Sequence, residues 1–132
     1  MKKKFQILIV DDDADDREII RDAFESTADH SDYVFIENGD RLIEFLESKD
    51  AQLPSLIMLD LNMPGKDGRE TLKEIKAHKR FQQIPTIVFT TSSSVRDREI
   101  VYSLGANCFI TKPDTFQKLT ELTTAIGKLW LK

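Results

Sequence analysis

Five short apolar runs, at 5–10, 33–36, 56–59, 86–90 and 107–111, constrain this chain more than any other feature. Each is too short for a stable helix and is rich in β-branched and aromatic residues, as in FQILIV and TIVFT. Amphipathic stretches of helical period separate them. The first is predicted over 14–28, capped by Asp13, with Ile19, Ile20, Ala23 and Phe24 as its apolar stripe. Further helices are predicted over 39–48, through Leu42, Ile43, Phe45 and Leu46, and over 69–80, through Leu72, Ile75 and Lys76. Ser94 and Asp97 form a capping-box pattern for a helix ending near Leu104, with Gly105 as its stop. Asp114 is expected to cap a last helix striped by Phe116, Leu119, Leu122, Ile126 and Trp130.

Five β/α units with uniformly apolar strands imply an α/β fold: a parallel sheet buried on both faces by helices. In such a sheet the ligand site lies beyond the carboxyl ends of the strands, at the point where the strand order reverses. The residues there are coherent in this chain. The first strand ends in Asp11, Asp12 and Asp13, the third in Asp60, Leu61 and Asn62, the fourth in Thr90, Thr91 and Ser92, and the fifth in Thr111, Lys112 and Pro113. Carboxylates gathered without a counter-charge repel one another, so a bound cation is the economical expectation. Oxygen ligands from Asp11, Asp12 and Asp60, few in number and leaving room for water, favour Mg²⁺ over Ca²⁺. Taken singly, each residue has an ordinary reading: acids complementing a helix N-terminus, a strand threonine, a solvated turn lysine. Asp60 tells more, because a carboxylate directly after Ile57, Met58 and Leu59 is costly beside a buried strand without a partner. The joint pattern at four strand ends carries the functional reading.

Composition bounds the alternatives. Nineteen basic against 23 acidic residues give a net charge of -4, so neither nucleic acid nor an anionic membrane is an expected partner. The basic run Lys2, Lys3 and Lys4 precedes an apolar stretch, Ile7 to Val10, too short for a signal peptide or a membrane span. The single cysteine, Cys108, reads as a buried structural thiol and suits a reducing cytoplasm.

The residues Ile9, Val10, Asp11 and Asp12, the segment Leu59 to Pro64 with Asp67 and Gly68, then Thr90, Gly105, Ala106, Phe109, Lys112 and Pro113 together resemble the receiver domain of two-component response regulators, the CheY-like superfamily. The likeness covers nearly the whole chain, 1–132, as one domain, and extends to the small receivers paired with bacterial phytochrome kinases. It implies a doubly wound five-stranded parallel sheet of strand order 2-1-3-4-5, flavodoxin-like in topology. It further implies that Asp60 accepts a phosphoryl group from a sensor histidine kinase or a histidine phosphotransfer protein. Asp12 and Asp60 would then ligate Mg²⁺ with the backbone carbonyl of Asn62, Asp11 acting mainly through a metal-bound water. Lys112 and Thr90 would contact phosphoryl oxygens, and Phe109 would be the aromatic that turns inward as Thr90 moves. On this reading the protein is a phosphoacceptor that assists its own phosphorylation and dephosphorylation, not an enzyme acting on a separate substrate. Output is expected through protein contacts.

Two other classes share parts of the pattern. A haloacid-dehalogenase-like phosphohydrolase also uses a strand-end Asp and Mg²⁺, but needs a second Asp two residues on, where this chain has Asn62. A flavin-binding electron carrier would need a phosphate-cradling loop where the three aspartates stand. The face of the fourth helix, fifth strand and fifth helix offers Arg98, Tyr102 and Lys118. The chain closes with Leu129, Trp130 and Leu131, of which at least one should stay exposed, and a phosphorylation-dependent homodimer through this region is the expected assembly.

Overall fold

The computed structural model describes residues 5–27, 31–48 and 52–131. The basic run at 2–4 and the last residue expected in the first helix, Ala28, lie outside them. The chain alternates strictly: β1 (Phe5–Val10), α1 (Ala14–Glu25), β2 (Ser31–Ile36), α2 (Gly39–Glu47), β3 (Leu56–Leu59), α3 (Gly68–Ala77), β4 (Thr86–Thr90), α4 (Val95–Ser103), β5 (Cys108–Thr111) and α5 (Phe116–Trp130). All neighbouring strands pair in parallel, in the order β2-β1-β3-β4-β5.

The period of two along each strand sorts the core into two layers. Leu8, Val10, Ile57, Leu59, Val88 and Phe109 face α2, α3 and α4, and pack with Leu42, Leu46, Leu72, Ile75 and Val101. The alternate residues Ile7, Ile9, Leu56, Met58, Ile87 and Phe89 face α1 and α5, and pack with Ile20, Ala23, Phe24, Leu119 and Ile126. Burying each large side chain contributes about 1.5–3 kcal/mol, so both faces of the sheet must be covered for it to persist.

Several local expectations are corrected. Ile19, assigned to the buried stripe of α1, is 45% exposed, and Phe116 of α5 is 50% exposed; both flank a cleft between the two helices. The first helix ends at Glu25, where the Ser26 and Thr27 hydroxyls donate to the carbonyls of Ala23 and Phe24, 2.7 Å each. The third helix stops at Ala77 because Phe81 and Ile84 fold back into the core, and Lys76 Nζ donates to the carbonyls of Gln82 and Ile84 that this turn frees. Thr115, not Asp114, caps α5, its hydroxyl accepting from Lys118 N; Asp114 pairs instead with the Lys118 ammonium at 3.2 Å. Cys108 is only half-buried. At the chain end Leu129 is the exposed residue, whereas Leu131 is buried and Trp130 packs against the α1–α5 layer. Gly105 closes α4 at φ +103°, a conformation that a side chain would strain.

One close approach positions the site. Gly68 opens α3, and its N–H donates to the carbonyl of Leu61 at 2.9 Å, folding the loop after β3 back on itself. A Cβ at Gly68 would run into the Asp60 carbonyl oxygen and lie 2.6 Å from Leu61 Cα. Both obstacles are backbone and cannot swing aside. Gly68→Ala is therefore expected to cost about 1–3 kcal/mol, read as a lower urea midpoint at unchanged slope. An unaltered midpoint would mean the loop gives way freely.

Candidate functional site

Parallel register brings the acids together. Val10 pairs with Leu59, so the next residue on each strand, Asp11 and Asp60, stands at the carboxyl edge on adjacent strands. Their backbones are fixed there: Asp11 N donates to Ile36 O and Asp60 N to Val10 O, both at 3.0 Å. Oxygens of Asp11, Asp12 and Asp60 all lie within 4.8 Å of one another. Asp11 and Asp60 are buried, while Asp12 opens to solvent. Asp13 turns away to cap α1, accepting from Asp15 N and Asp16 N.

The counter-charge comes from the far side of the sheet. Lys112 follows β5, its N–H donates to the Thr90 carbonyl at 2.7 Å, and its ammonium extends back over the edge. There Nζ lies 2.8 Å from Asp11 Oδ2, 2.9 Å from Asp16 Oδ2 and 3.9 Å from Asp60 Oδ2. Burial pushes the Asp60 carboxyl up from its ordinary 3.8 to about 6; the Lys112 charge opposes this, the Asp11 charge adds to it, and the N–H groups of Asn62 and Leu61 lower it. For Lys112, burial disfavours the ammonium, but hydrogen bonds to Asp11 and Asp16 outweigh that and hold its pKa above the ordinary value. One ammonium thus serves three carboxylates and leaves Asp60 short of positive charge. A hard divalent cation beside Asp12 fits that deficit and the all-oxygen donor set.

The fourth strand supplies the hydroxyl. Thr90 is fully buried, and its Oγ1 accepts from Ser92 N at 3.3 Å and from Asn62 Nδ2 at 3.4 Å. Ser92 Oγ donates to Asp97 Oδ2 at 2.7 Å, and Asp97 Oδ1 accepts from Arg69 Nη2 at 2.6 Å. Phe109 is 9% exposed and sits in the α2–α4 layer, with the Arg98 guanidinium 5.7 Å from its ring centre and its own N–H donating to Tyr102 Oη at 3.0 Å.

The structure therefore gathers Asp11, Asp12, Asp60 and Lys112 at one point, with Asn62 and Thr90 linked beside them and Phe109 behind. Sequence reasoning missed two participants, Asp16 and the Arg69–Asp97 pair. A helix that follows β1 must start at this edge, so Asp15 and Asp16 were candidates by position. Which of the two would face inward was not legible.

Residues 7–124 match the family described as "Response regulator receiver domain". The response regulator Rcp1 of Synechocystis sp. is 36% identical over 131 residues, covering 96% of this chain and 88% of that protein. The chemotaxis protein CheY1 of Helicobacter pylori is 32% identical over 117 residues, covering 88% of this chain and 91% of its own. Among solved structures, the phosphorylated cyanobacterial phytochrome response regulator RcpA superposes with a TM-score of 0.90 at 33% identity, covering 98% of this chain and 96% of that one. The Mn²⁺-bound form of Rcp1 superposes at 0.85 with 32% identity, covering 97% and 95%. With strand order, acidic edge and strand-five lysine all coinciding with this likeness, the chain belongs to the response regulator receiver family of two-component signalling.

Proposed function

We propose that Asp60 is the phosphoacceptor, taking a phosphoryl group from a phosphohistidine on a kinase or phosphotransfer protein with Mg²⁺ as cofactor. The observation that carries this reading is the buried Asp60 carboxyl, pushed up to about 6 and within reach of a single, shared ammonium. Asp11, Asp12, Asp60 and the Asn62 carbonyl would hold the cation, which when bound would favour the ionised Asp60 carboxylate and offset charge on the transferred group. One Asp60 oxygen then bonds to phosphorus as the phosphorus–nitrogen bond breaks, and the bonding pair stays on the imidazole. No general base is required, because the nucleophile carries no proton. Lys112 receives one phosphoryl oxygen and Thr90 donates its hydroxyl to another, while Phe109 belongs to the element that responds. Asn62 stands where a phosphohydrolase of the haloacid-dehalogenase type would carry its acid, and a carboxamide cannot supply that proton. We infer a phosphoacceptor that assists its own phosphorylation and dephosphorylation rather than an enzyme acting on a separate substrate, acting as one unit over 1–132 in the cytoplasm. Among the described residues no helix is long and apolar enough to cross a membrane.

The donor has room beside the acceptor. A cleft of about 430 Å³ lined by Ile19, Ile20, Pro113, Phe116 and Leu119 adjoins Lys112, and its exposed Ile19 and Phe116 suit the apolar side of a partner helix. For the switched state we propose a homodimer through α4, β5 and α5. Val95 and Tyr102, seven residues apart on one stripe of α4, are 63% and 45% exposed. Leu131, being buried, takes no part.

Asp60→Asn is expected to abolish labelling by acetyl phosphate in Mg²⁺; equal labelling of this variant and the wild type sinks the acceptor assignment. Asp12→Ala should weaken Mg²⁺ binding by tenfold or more (~1.4 kcal/mol) in titration calorimetry, and unchanged affinity would place the metal elsewhere. Light scattering should report a larger mass when beryllofluoride is added, and Val95→Lys should suppress that increase. A protein monomeric at high micromolar concentration in both conditions would refute the dimer alone.

A further inference from the structure

Asp16 has no part in the proposed chemistry, yet it is one of the two residues that hold Lys112. It lies in the first turn of α1, its side chain is 40% exposed, and its Oδ2 accepts from Lys112 Nζ at 2.9 Å. Asp11 Oδ2 takes the second contact at 2.8 Å, and Asp60 Oδ2 stands off at 3.9 Å, beyond hydrogen-bond reach. Lys112 is itself only 14% exposed, so its ammonium depends on protein acceptors rather than water. An ammonium has three donor hydrogens, two of which are committed to Asp11 and Asp16.

We propose that Asp16 is a positioning residue for Lys112: a surface latch that holds the ammonium toward α1 and competes with phosphoryl oxygens on Asp60 for it. The proposal rests on Lys112 receiving the phosphoryl group, and extends that reading to how long the group is kept. A phosphoryl group adds roughly -1.5 to -2 charge at Asp60. Lys112 then exchanges its more exposed, more weakly held partner, Asp16, while the buried Asp11 stays in place. The free energy of breaking the Lys112–Asp16 pair is subtracted from that of forming the Lys112–phosphoryl contact. Asp16 therefore lowers the affinity of the switched state and shortens its lifetime without touching metal or phosphorus.

The test is beryllofluoride binding at saturating Mg²⁺, read by displacement of backbone amide resonances near Asp60, in wild type, Asp16→Asn, Lys112→Ala and the double variant. Asp16→Asn should bind beryllofluoride roughly three- to fivefold more tightly, the size expected for a half-exposed ion pair. In the Lys112→Ala background the same substitution should change nothing, since the latch acts only through that ammonium. Asp15→Asn, removing a neighbouring acid that does not touch Lys112, controls for loss of charge. An equal effect of Asp16→Asn with and without Lys112, or no effect in either background, would overturn the latch. Failure of the wild type to bind beryllofluoride at all would instead overturn the phosphoacceptor reading beneath it. Asp16→Asn changes a half-exposed position and should leave the urea midpoint and slope at their wild-type values, which separates positioning from loss of fold.

Discussion

Like-charge repulsion at the carboxyl edge of the sheet is the constraint around which this molecule is arranged. Two full charges within the 4.8 Å that separates the carboxylate oxygens repel by on the order of 3 kcal/mol at an effective dielectric of about 20. The Lys112 ammonium offsets part of that repulsion but does not set where the acids stand. The backbone does: Asp11 and Asp60 are the first residues past paired strands, and each N–H is tied to the neighbouring strand. Ladder hydrogen bonds and two apolar layers thus maintain an arrangement that electrostatics opposes. The opposition is what makes the site useful, because a cation or a transferred phosphoryl group relieves or reshapes it. Burial raises the Asp60 carboxyl to about 6, and the Asp11 charge adds to that rise.

Lys112 is the cationic part of that balance. It reaches the acids from β5, two strands away from β3, and its own N–H is anchored to the Thr90 carbonyl. Its head is shared among groups of different burial, from Asp11 at 3% side-chain exposure to Asp16 at 40%. The Arg69–Asp97–Ser92 chain performs a comparable task on the other side, tying the start of α3 to the loop after β4. Asp97 is held well below the usual carboxylate range, first by the Ser92 hydroxyl and then by Arg69, so it stays charged and keeps both partners.

Much of this was legible because it follows from period and position. Uniformly apolar runs fix a parallel sheet, and the residue after each run then falls at one edge, which is why Asp11, Asp12, Asp60, Thr90 and Lys112 could be assembled without coordinates. The failures share a physical cause, a choice between adjacent candidates that only tertiary contacts decide. Asp114 and Thr115 are both good caps, and Lys118 settles the matter by taking Asp114 as an ion-pair partner while its N–H takes Thr115. Ile19 and Ile20 share a stripe by spacing, but α5 covers only one of them, and Phe116 is left open on the same cleft. Asp15 and Asp16 differ by one helical step of about 100°, and the ammonium selects the second. Of Leu129, Trp130 and Leu131 it is Leu129 that stays exposed, because the chain leaves the helix at Leu131 and turns it inward.

The two halves of the site are coupled through β4 and β5. Thr90 pairs with Thr111 in the ladder, and the next N–H, that of Lys112, closes on the Thr90 carbonyl at 2.7 Å. The backbones that carry the hydroxyl and the ammonium therefore stand on one hydrogen-bonded unit, from which the Lys112 side chain extends to the acids. Two residues inward the same ladder pairs Val88 with Phe109, whose N–H is held by the Tyr102 hydroxyl on α4. Thr90, Lys112 and Phe109 thus lie on one strand pair, which the Tyr102 hydroxyl ties to α4. Phe109 is packed inward beneath Arg98. The Tyr102 hydroxyl and the Arg98 guanidinium, both in contact with Phe109, stand on a helix whose single fully buried residue is Val101. With so little of α4 fastened to the core, its outer face is the part of this surface least held by packing.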